Sequence, residues 1–296
     1  MAYLLKNDVL TVEIAGLGES YSGVRFDGSG IITGVTLAEG GHHFCVKESL
    51  TPEGGTGGIG LCSEFGIRKA IGYEEAKAGE AFPKLGVGLL TRPDDTGYLF
   101  YRDYACQRFT TRVEQHGPER ISFITLPLEY QGYAAYMEKH IEISEGRLTV
   151  EYVVENTGTK PLDTDEYSHN FLGIDGHKVG PEYVLRFPEP IQPWSDDPAT
   201  LKGVRFTGNE VSWDREPTED FYFCLQPQDG HEQSWLWELS HRPSGATVRE
   251  LSKLPLSEAA VWGHGHVVAP EMFVEVKLAP GERQSWTRIY EFMKVV

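Results

Sequence analysis

The feature that most constrains this chain is an alternation of apolar and polar side chains with a period of two, which recurs in short runs bounded by turns. In "LTVEYVVENTG", which begins at Leu148, every second residue up to Val154 is apolar, so one face of an extended strand is hydrophobic. The preceding "HIEISEGRL" alternates in the same way and ends in a Glu145-Gly146 corner. Two such runs joined by a tight corner predict an antiparallel hairpin.

Similar runs are spread along the whole chain. A second hairpin is predicted in "RFTTRVEQHGPERISFITLPL", with its turn at residues 116–118. Further strands are predicted from the segments "LTVEIA", "GIITGVTL", "YLFYRDYA", "DFYFCLQP", "SWLWELSH", "MFVEVKL" and "QSWTRIYEF". Helical periodicity is strongest in "SEFGIRKAIGYEEAKAG", where Gly66 and Gly72 weaken it. The pattern therefore predicts a mainly β protein.

The composition favours one β domain. A length of 296 residues permits one or two domains, but all-β sandwiches of this size are often a single unit. A hydrophobic fraction of 40% is enough for a sizeable core, and 33 glycines and 17 prolines serve the many turns of such a fold. No linker, low-complexity block or internal repeat interrupts the sequence. We therefore predict a single domain over residues 1–296.

The net charge and the spacing of the cysteines limit which partners and which cellular compartment we expect. Forty-four acidic and 27 basic residues give a net charge of −17, which repels nucleic-acid phosphates and anionic membrane surfaces. The opening "MAYLLKNDVL" has Lys6 and Asp8 within a short apolar run, so it predicts neither a secretory signal nor a membrane span. The four cysteines are scattered without a CxxC pair, which favours reduced thiols. We expect a cytoplasmic protein without nucleic-acid or membrane partners, and the sequence leaves its oligomeric state open.

The common nucleotide and metal motifs are absent or incomplete. The glycine-rich "TPEGGTGGIGLCSEFG" lacks the spacing of the P-loop and that of the dinucleotide fingerprint. The segment "GHGHVVAPE" sets His264 and His266 two residues apart, ahead of Glu271, and resembles the first metal motif of cupins. No histidine follows Glu271 to complete that motif. We therefore predict no metal and no cofactor.

Two residues far apart in the sequence are candidates for acid/base chemistry. His169 lies in "DEYSHNFLGIDG" and Glu271 lies in "HVVAPEMFVEV". An imidazole that titrates near neutrality and a carboxylate can together move a proton from one substrate oxygen to another. Each residue also has an ordinary explanation, as a hydrogen-bonded histidine at a strand end or an exposed glutamate after an edge proline. The chemistry requires that the fold bring the two side chains together.

At these residues the sequence resembles the galactose mutarotase-like superfamily, which includes aldose 1-epimerases and hexose-6-phosphate epimerases. The resemblance rests on "LTVEYVVENTGTKPL" followed closely by "EYSHNFL", on the late "VVAPEMF", and on the ending "LAPGERQSWTRIYEF". It covers residues 147–292 well and the first half only in general layout, notably "SGVRFDGSGIITGV". The resemblance implies an all-β fold, a large antiparallel β-supersandwich.

The resemblance also implies a reaction, the cofactor-independent interconversion of the anomers of a hexose or related sugar. Glu271 would take the proton of the anomeric hydroxyl and His169 would protonate the ring oxygen, with the roles exchanged on ring closure. Glu275 is the rival carboxylate, because it lies on the same predicted strand. The motif here is shorter than in many aldose epimerases, since Asn170 follows the histidine at once.

Further residues are candidates for the wall of a sugar pocket. Arg25 in "GVRFDGSG" and His43 in "GGHHF" fall in the third of the chain where the family has an arginine and a second histidine. His264 and His266 either line the pocket or face solvent. Trp262, two residues before this histidine pair, is the tryptophan best placed to stack on a sugar ring.

The sequence leaves the substrate class and the turnover open. A phosphorylated sugar requires arginines that converge on the pocket, and the candidates are Arg25, Arg68, Arg249 and Arg288. The same fold serves enzymes and binding proteins, so the alternative is a carbohydrate-binding protein without turnover. In either case we expect the partner to be a small-molecule sugar or sugar phosphate.

Overall fold

Antiparallel strands dominate the described chain. In this computed structural model the described residues are 2–51, 54–226 and 235–295. The strands are, in chain order, β1 (Tyr3–Lys6), β2 (Leu10–Ile14), β3 (Ile32–Leu37), β4 (His42–His43), β5 (Leu61–Phe65), β6 (Ala81–Lys84), β7 (Gly88–Thr91), β8 (Cys106–Arg108), β9 (Thr111–Gln115), β10 (Arg120–Thr125), β11 (Ala135–Ser144), β12 (Arg147–Asn156), β13 (Leu162–Asn170), β14 (Tyr183–Arg186), β15 (Pro193–Trp194), β16 (Val204–Thr207), β17 (Glu210–Trp213), β18 (Phe221–Leu225), β19 (Trp237–His241), β20 (Ala246–Glu250), β21 (Leu256–His264), β22 (Val267–Leu278) and β23 (Arg283–Lys294). Within the described ranges, the helical pieces are two 3-10 helices, Glu39–Gly41 and Pro198–Leu201.

The strands form two large sheets and one small sheet. Sheet I has the order β1-β2-β3-β5-β13-β22-β21-β18-β15, with β4 paired to β3. Sheet II has the order β16-β17-β14-β19-β20-β23-β12-β11-β10-β9, and sheet III consists of β6, β7 and β8. One large hydrophobic cluster takes side chains from both sheet I and sheet II, so the core lies between them. The prediction of a mainly β protein with large antiparallel sheets is confirmed.

Both predicted hairpins form at the positions indicated by the alternating residues and the turn residues. β11 and β12 pair over ten residues each, with Ser144 opposite Arg147, and Glu145 has a φ of 52° in the corner. A positive φ in a two-residue turn matches the twist of the flanking strands. β9 and β10 form the second predicted hairpin. The strands on either side of "APGER" are also present, but β22 belongs to sheet I and β23 to sheet II, so this turn crosses between sheets.

Most other predicted strands are present too. β2, β3, β18 and β19 lie within the predicted segments "LTVEIA", "GIITGVTL", "DFYFCLQP" and "SWLWELSH". Pro227 and Ser234, at the ends of the last two segments, lie outside the described residues.

The strand predicted from "YLFYRDYA", residues 98–105, is wrong, because this segment forms turns and irregular backbone. Its aromatic residues pack on sheet III instead. Tyr98 and Tyr104 stack with ring centroids 5.8 Å apart, and both contact Phe82 of β6. The Tyr104 hydroxyl accepts a hydrogen bond from the backbone N–H of Leu99. Aromatic residues favour strands because they fit a half-buried surface, and here a folded loop provides that surface.

The weak helical pattern of "SEFGIRKAIGYEEAKAG" also forms no helix. Its first residues belong to β5, and the rest forms turns. Gly66 and Gly72 have φ values of 71° and 69°, outside the right-handed helical region. The two glycines that weakened the prediction are therefore the ones that redirect the chain.

The position of the site follows from the two faces of β13. Even-numbered residues of β13 point toward sheet II, as shown by Glu166, which contacts Arg288 of β23. Odd-numbered residues point to the opposite face of sheet I, where His169 contacts Glu271 of β22. The period of two thus separates an inter-sheet set of side chains from a set on the outer face.

Candidate functional site

A cavity of about 410 Å³ opens on the outer face of sheet I. This volume lies within the range of about 300–1,000 Å³ that is typical of small-molecule sites. Its wall consists of Arg25, Glu48, Thr56, Ile67, Arg68, Phe100, Tyr101, Tyr167, His169, Asp220, Tyr222, Trp262, Glu271 and Phe273. Both predicted acid/base residues lie in this wall.

The register of two central strands brings His169 and Glu271 together. Tyr167 pairs with Phe273, and Leu172 forms an isolated bridge with Val268. Both pairs have the same register, which places residue 169 across from residue 271. The His169 Nε2 lies 3.1 Å from the Glu271 Oε1, and both side chains are almost fully buried. A separation of about 100 residues in the sequence is thus closed by adjacent strands.

The serine and asparagine that flank His169 serve the other face of β13. The Ser168 hydroxyl donates to the Asn170 Oδ1 at 2.8 Å, and the Tyr290 hydroxyl donates to the same oxygen at 3.0 Å. The Asn170 amide donates to the backbone carbonyl of Pro270 on β22 at 2.7 Å. These bonds fix β13 to β22 next to the histidine, so they hold the imidazole opposite its carboxyl partner.

Apolar and aromatic groups surround the imidazole of His169. Its ring stacks on Phe171 with centroids 4.0 Å apart and meets the edges of Phe26 and Trp262. Burial lowers the pKa of His169 well below its ordinary value, and the positive charge of Arg25 lowers it further. The imidazole is therefore neutral at physiological pH in the free protein.

The carboxyl of Glu271 is shifted in the opposite direction. Burial raises the pKa of Glu271 to about 8, and Arg25 opposes only part of that rise. At neutral pH the pair therefore consists of a neutral imidazole and a mostly protonated carboxyl. The two groups together hold one proton that a substrate can use.

Arg25 is fixed beside this pair by three directed hydrogen bonds. Its Nε donates to the Glu64 Oε2 at 2.8 Å, its Nη1 to the Thr56 hydroxyl at 3.0 Å and its Nη2 to the Tyr167 hydroxyl at 2.9 Å. Burial opposes its charge, but Tyr167 and Glu64 outweigh that effect and raise the pKa of Arg25. The remaining N–H groups of this rigid guanidinium are available to a ligand in the cavity.

A buried carboxylate below the cavity wall anchors several of these groups. Glu64 of β5 accepts hydrogen bonds from Arg25, from the Tyr167 hydroxyl at 2.7 Å and from the Lys84 Nζ at 3.0 Å. The Lys84 Nζ also donates to the Tyr98 hydroxyl at 2.8 Å. This network rigidifies the floor of the site and links it to sheet III.

Aromatic side chains form much of the cavity wall. Trp262 on β21, Tyr222 on β18 and Phe273 on β22 come from sheet I. Phe100 and Tyr101 come from the loop between β7 and β8 of sheet III, and Tyr101 is exposed. Aromatic faces next to a few directed polar groups are typical of sites that bind amphipathic ligands.

The structure places three predicted pocket residues outside this wall. His43 is exposed on β4, where its Nδ1 contacts the Thr36 hydroxyl at 2.9 Å. The His266 Nε2 donates to the backbone carbonyl of Lys47 at 2.9 Å, and His264 packs against His266. None of these three histidines lines the cavity. His43 and His264 lie on strands and His266 in the turn between β21 and β22, and the sequence pattern did not fix where these side chains point.

The geometry also distinguishes the two candidate carboxylates of β22. Glu271 and Glu275 point to the same face of β22. Phe273 lies between them on that face, so Glu275 is four residues further along the strand than Glu271. The Glu275 carboxylate is exposed and accepts a hydrogen bond from the Lys277 Nζ at 2.9 Å. Only Glu271 of these two therefore faces His169.

The four arginines proposed for a phosphate divide into two groups. Arg25 and Arg68 line the cavity. Arg249 instead contacts Glu238 within sheet II, and Arg288 is buried between the sheets. The last two arginines thus stabilise the fold and do not reach the site.

The sequence analysis missed several residues of the site, among them Glu48, Tyr167, Asp220 and Tyr222 in the wall and the buried Glu64 below it. A signal existed only for Tyr167, which lies two residues before His169 and therefore shares its face. The others reach the site from segments that are remote in the sequence. Their positions depend on strand order, which alternation does not encode.

The described residues contain no group of three or more His, Cys, Asp and Glu side chains arranged to hold a metal ion. Over the same described ranges, no helix is long and apolar enough to cross a membrane. The described part of the chain has four free cysteines, Cys45, Cys62, Cys106 and Cys224.

Comparison with known proteins identifies the fold. No protein-family model and no curated protein matches the sequence. Solved structures match over nearly the full length. A galactose mutarotase related enzyme from Lactobacillus acidophilus has a TM-score of 0.63 at 12% identity, with 99% of this chain and 97% of that chain covered. A GalM/aldose epimerase homologue from C. elegans has a TM-score of 0.62 at 15% identity, with 100% of both chains covered.

A third similar structure is a galactose mutarotase-like protein from Clostridium acetobutylicum. Its TM-score is 0.61 at 12% identity, with 99% of this chain and 95% of that chain covered. The chain therefore has the galactose mutarotase-like fold, and the predicted β-supersandwich is confirmed. At this level of identity the likeness establishes the fold alone, so the function depends on the site.

Proposed function

We propose that this protein is a cofactor-independent sugar epimerase that interconverts the anomers of a hexose or related sugar. The observation that supports this proposal most directly is the 3.1 Å contact between His169 and Glu271 in the wall of a sugar-sized cavity. The anomeric hydroxyl and the ring oxygen of a pyranose are bonded to the same carbon. An acid and a base that act on both oxygens must therefore converge within a few ångströms, as these two groups do.

The reaction needs one proton on the pair. Glu271 removes the proton of the anomeric hydroxyl while His169 donates a proton to the ring oxygen, and the bond between the anomeric carbon and the ring oxygen breaks. The free aldehyde rotates about the adjacent carbon–carbon bond, and ring closure from the other face gives the second anomer. During closure the two residues exchange roles, as reversibility requires. The reactive charge state differs from the resting neutral pair only by a proton transfer from Glu271 to His169.

The remaining wall residues suit this substrate. Arg25 presents N–H donors to sugar hydroxyls from a fixed position, and Trp262 offers an aromatic face to the apolar side of the ring. Glu64 and Tyr167 keep Arg25 in place through buried hydrogen bonds. This preorganisation supports binding of a small polyhydroxylated molecule.

The test is the rate of anomer exchange, measured by NMR exchange spectroscopy on a panel of hexoses and hexose 6-phosphates. We expect the wild type to accelerate exchange of at least one sugar, and His169→Ala or Glu271→Gln to lower kcat by roughly 100- to 10,000-fold. Glu275→Gln is the matched control, because it removes a carboxylate from the same strand outside the site. Wild-type rates equal to the protein-free rates for every sugar would contradict the proposal.

A second candidate is a carbohydrate-binding protein without turnover. It is favoured by one observation, that His169 is the only histidine among the described residues that line the cavity. A binding protein requires no second imidazole. Saturable binding of a sugar without any acceleration of anomer exchange would select this alternative.

A further inference from the structure

The cations at the cavity wall are already paired with carboxylates. Arg68 lines the cavity, and its guanidinium donates to both carboxylate oxygens of Glu258 on β21. The Glu258 carboxylate is held in turn by the Cys224 thiol, 3.7 Å away on the neighbouring strand β18. Such a fork-to-fork contact uses the donors with which an arginine recognises an anion.

Arg25, the second cation of the cavity wall, is also paired with carboxylates. Arg25 and the adjacent Lys84 share the carboxylate of Glu64, at 2.8 and 3.0 Å. The Glu48 carboxylate lies 3.6 Å from the Arg25 Nη1 and completes the set. Two cations therefore face two carboxylates, and this part of the wall is electrically balanced.

The rest of the site adds no positive charge. Asp220 lies in the wall and carries a carboxylate. His169 is neutral because burial and Arg25 lower its pKa. The chain as a whole has a net charge of −17, which repels anions at long range.

From this charge arrangement we infer that the cavity takes a neutral, unphosphorylated sugar, and that Glu258 is a specificity-determining residue because it keeps Arg68 paired. The inference rests on the proposed function and names its substrate class. A sugar phosphate carries a charge of about −1.5 to −2 at pH 7. To contact Arg68, the phosphate group would have to displace the Glu258 carboxylate or lie next to it. The negative charges of the two groups repel each other, which opposes that contact.

The experiment compares kcat/KM for D-glucose and D-galactose with kcat/KM for their 6-phosphates, each measured above its own protein-free rate. We expect the wild type to prefer the neutral sugars. Glu258→Gln frees the guanidinium of Arg68 and should raise the ratio of phosphorylated to neutral kcat/KM by roughly 10- to 100-fold. Adding Arg68→Gln to that variant should return the ratio to about the wild-type value.

Glu275→Gln is the matched control, since it changes the net charge by the same amount but lies outside the cavity. The ratio should stay at the wild-type value in this variant. A wild-type preference for the 6-phosphates, or an equal rise of the ratio in Glu275→Gln and Glu258→Gln, would overturn the inference while the proposed function stands.

A binding measurement separates the inference from the proposed function. Titration of the wild type with the same four sugars, followed by NMR, reports affinity without turnover. Tighter binding of the neutral sugars without acceleration of exchange would support the inference and contradict the epimerase proposal. Tighter binding of the 6-phosphates, or no binding of any of the four sugars, would overturn the inference.

Discussion

The two faces of β13 carry two buried clusters of ionisable groups that differ in how their charges are balanced. On the face toward sheet II, the Arg288 Nη2 donates to the Glu166 Oε2 at 2.8 Å and the Nη1 to the Glu250 Oε1 at 3.3 Å. On the outer face, His169 and Glu271 lie 3.1 Å apart. The residues of these clusters lie on four strands, β13, β20, β22 and β23, and the His169–Glu271 pair lines the cavity.

The inter-sheet cluster keeps its central cation charged. Burial works against the charge of Arg288, but Glu166 and Glu250 outweigh it and raise the pKa of Arg288. In the cavity pair, burial raises the pKa of Glu271 and lowers the pKa of His169, so both groups become neutral. A compensated cluster holds its protons and stabilises the fold, whereas an uncompensated pair in a cavity is poised to exchange a proton.

The largest expected effect breaks the inter-sheet cluster. Arg288→Met leaves Glu166 and Glu250 buried without their cation, and we expect the free energy of unfolding to fall by about 3–5 kcal/mol. Urea denaturation followed by tryptophan fluorescence measures this change. His169→Ala serves as the comparison, because it removes a neutral imidazole from the cavity wall. Equal losses of stability in the two variants would remove the distinction between the clusters.

The pH dependence of turnover tests the cavity pair. The pair loses its proton when Glu271 of the free protein ionises at its pKa of about 8, so kcat/KM should fall about tenfold per pH unit above that value. Because burial and Arg25 lower the pKa of His169, the acidic decline should lie well below the ordinary histidine range. Anomer exchange measured from pH 4 to 10, after subtraction of the protein-free rate, gives the profile. A high-pH decline retained in Glu271→Gln would assign it to another group.

The stability of the same pair should respond to pH with a defined sign. Since the pKa of Glu271 is raised in the folded state, the folded protein binds a proton that the unfolded chain releases above about pH 4.5. Stability is fully present below that pH and is lost as the pH rises toward 8. We expect Glu271→Gln, which cannot ionise, to be more stable than the wild type by about 1–3 kcal/mol at pH 8.

Chemical denaturation at pH 5 and pH 8 provides the measurement for this prediction. The advantage of the glutamine variant should shrink at pH 5, where wild-type Glu271 is protonated in the folded state. A constant difference between wild type and variant at the two pH values would show that the carboxyl does not titrate as described.

The smallest expected effect comes from a charge pair on the surface of sheet II. The Arg147 Nη2 lies 2.9 Å from the Glu291 Oε1, but the Arg147 side chain is 56% exposed. Water screens such a pair, so Arg147→Gln should change the free energy of unfolding by less than about 1 kcal/mol. Measured beside Arg288→Met, it separates the contribution of burial from that of charge pairing. A loss as large as that of Arg288→Met would show that burial is not the deciding factor.

Local sequence patterns predicted the strands correctly where a run of alternating apolar and polar residues was bounded by a tight turn. The β11–β12 and β9–β10 hairpins formed as expected, because their pairing connects residues that are close in sequence. The segment "YLFYRDYA" has the composition of a strand but packs as a loop on sheet III. Its aromatic side chains are buried by distant residues, and no local pattern contains that information.

The candidate site was predictable only in part. The family resemblance indicated His169 and Glu271. These residues lie on the neighbouring strands β13 and β22, and their contact depends on the register between the two strands. The choice between Glu271 and Glu275 required that register, because both residues share one face. His43 and His266 were chosen for their position in the sequence, and the structure gives them partners outside the cavity.

The sequence by itself determined that this chain forms antiparallel sheets, because side-chain alternation is a local property of neighbouring residues. It also determined a strong negative charge, which depends on composition alone. Only the tertiary structure decided which side chains share the cavity and which cations there are already paired. Strand order and register bring residues such as Arg25, Glu64 and Glu271 together from three remote segments, and contacts of that kind are set by packing across the sheet.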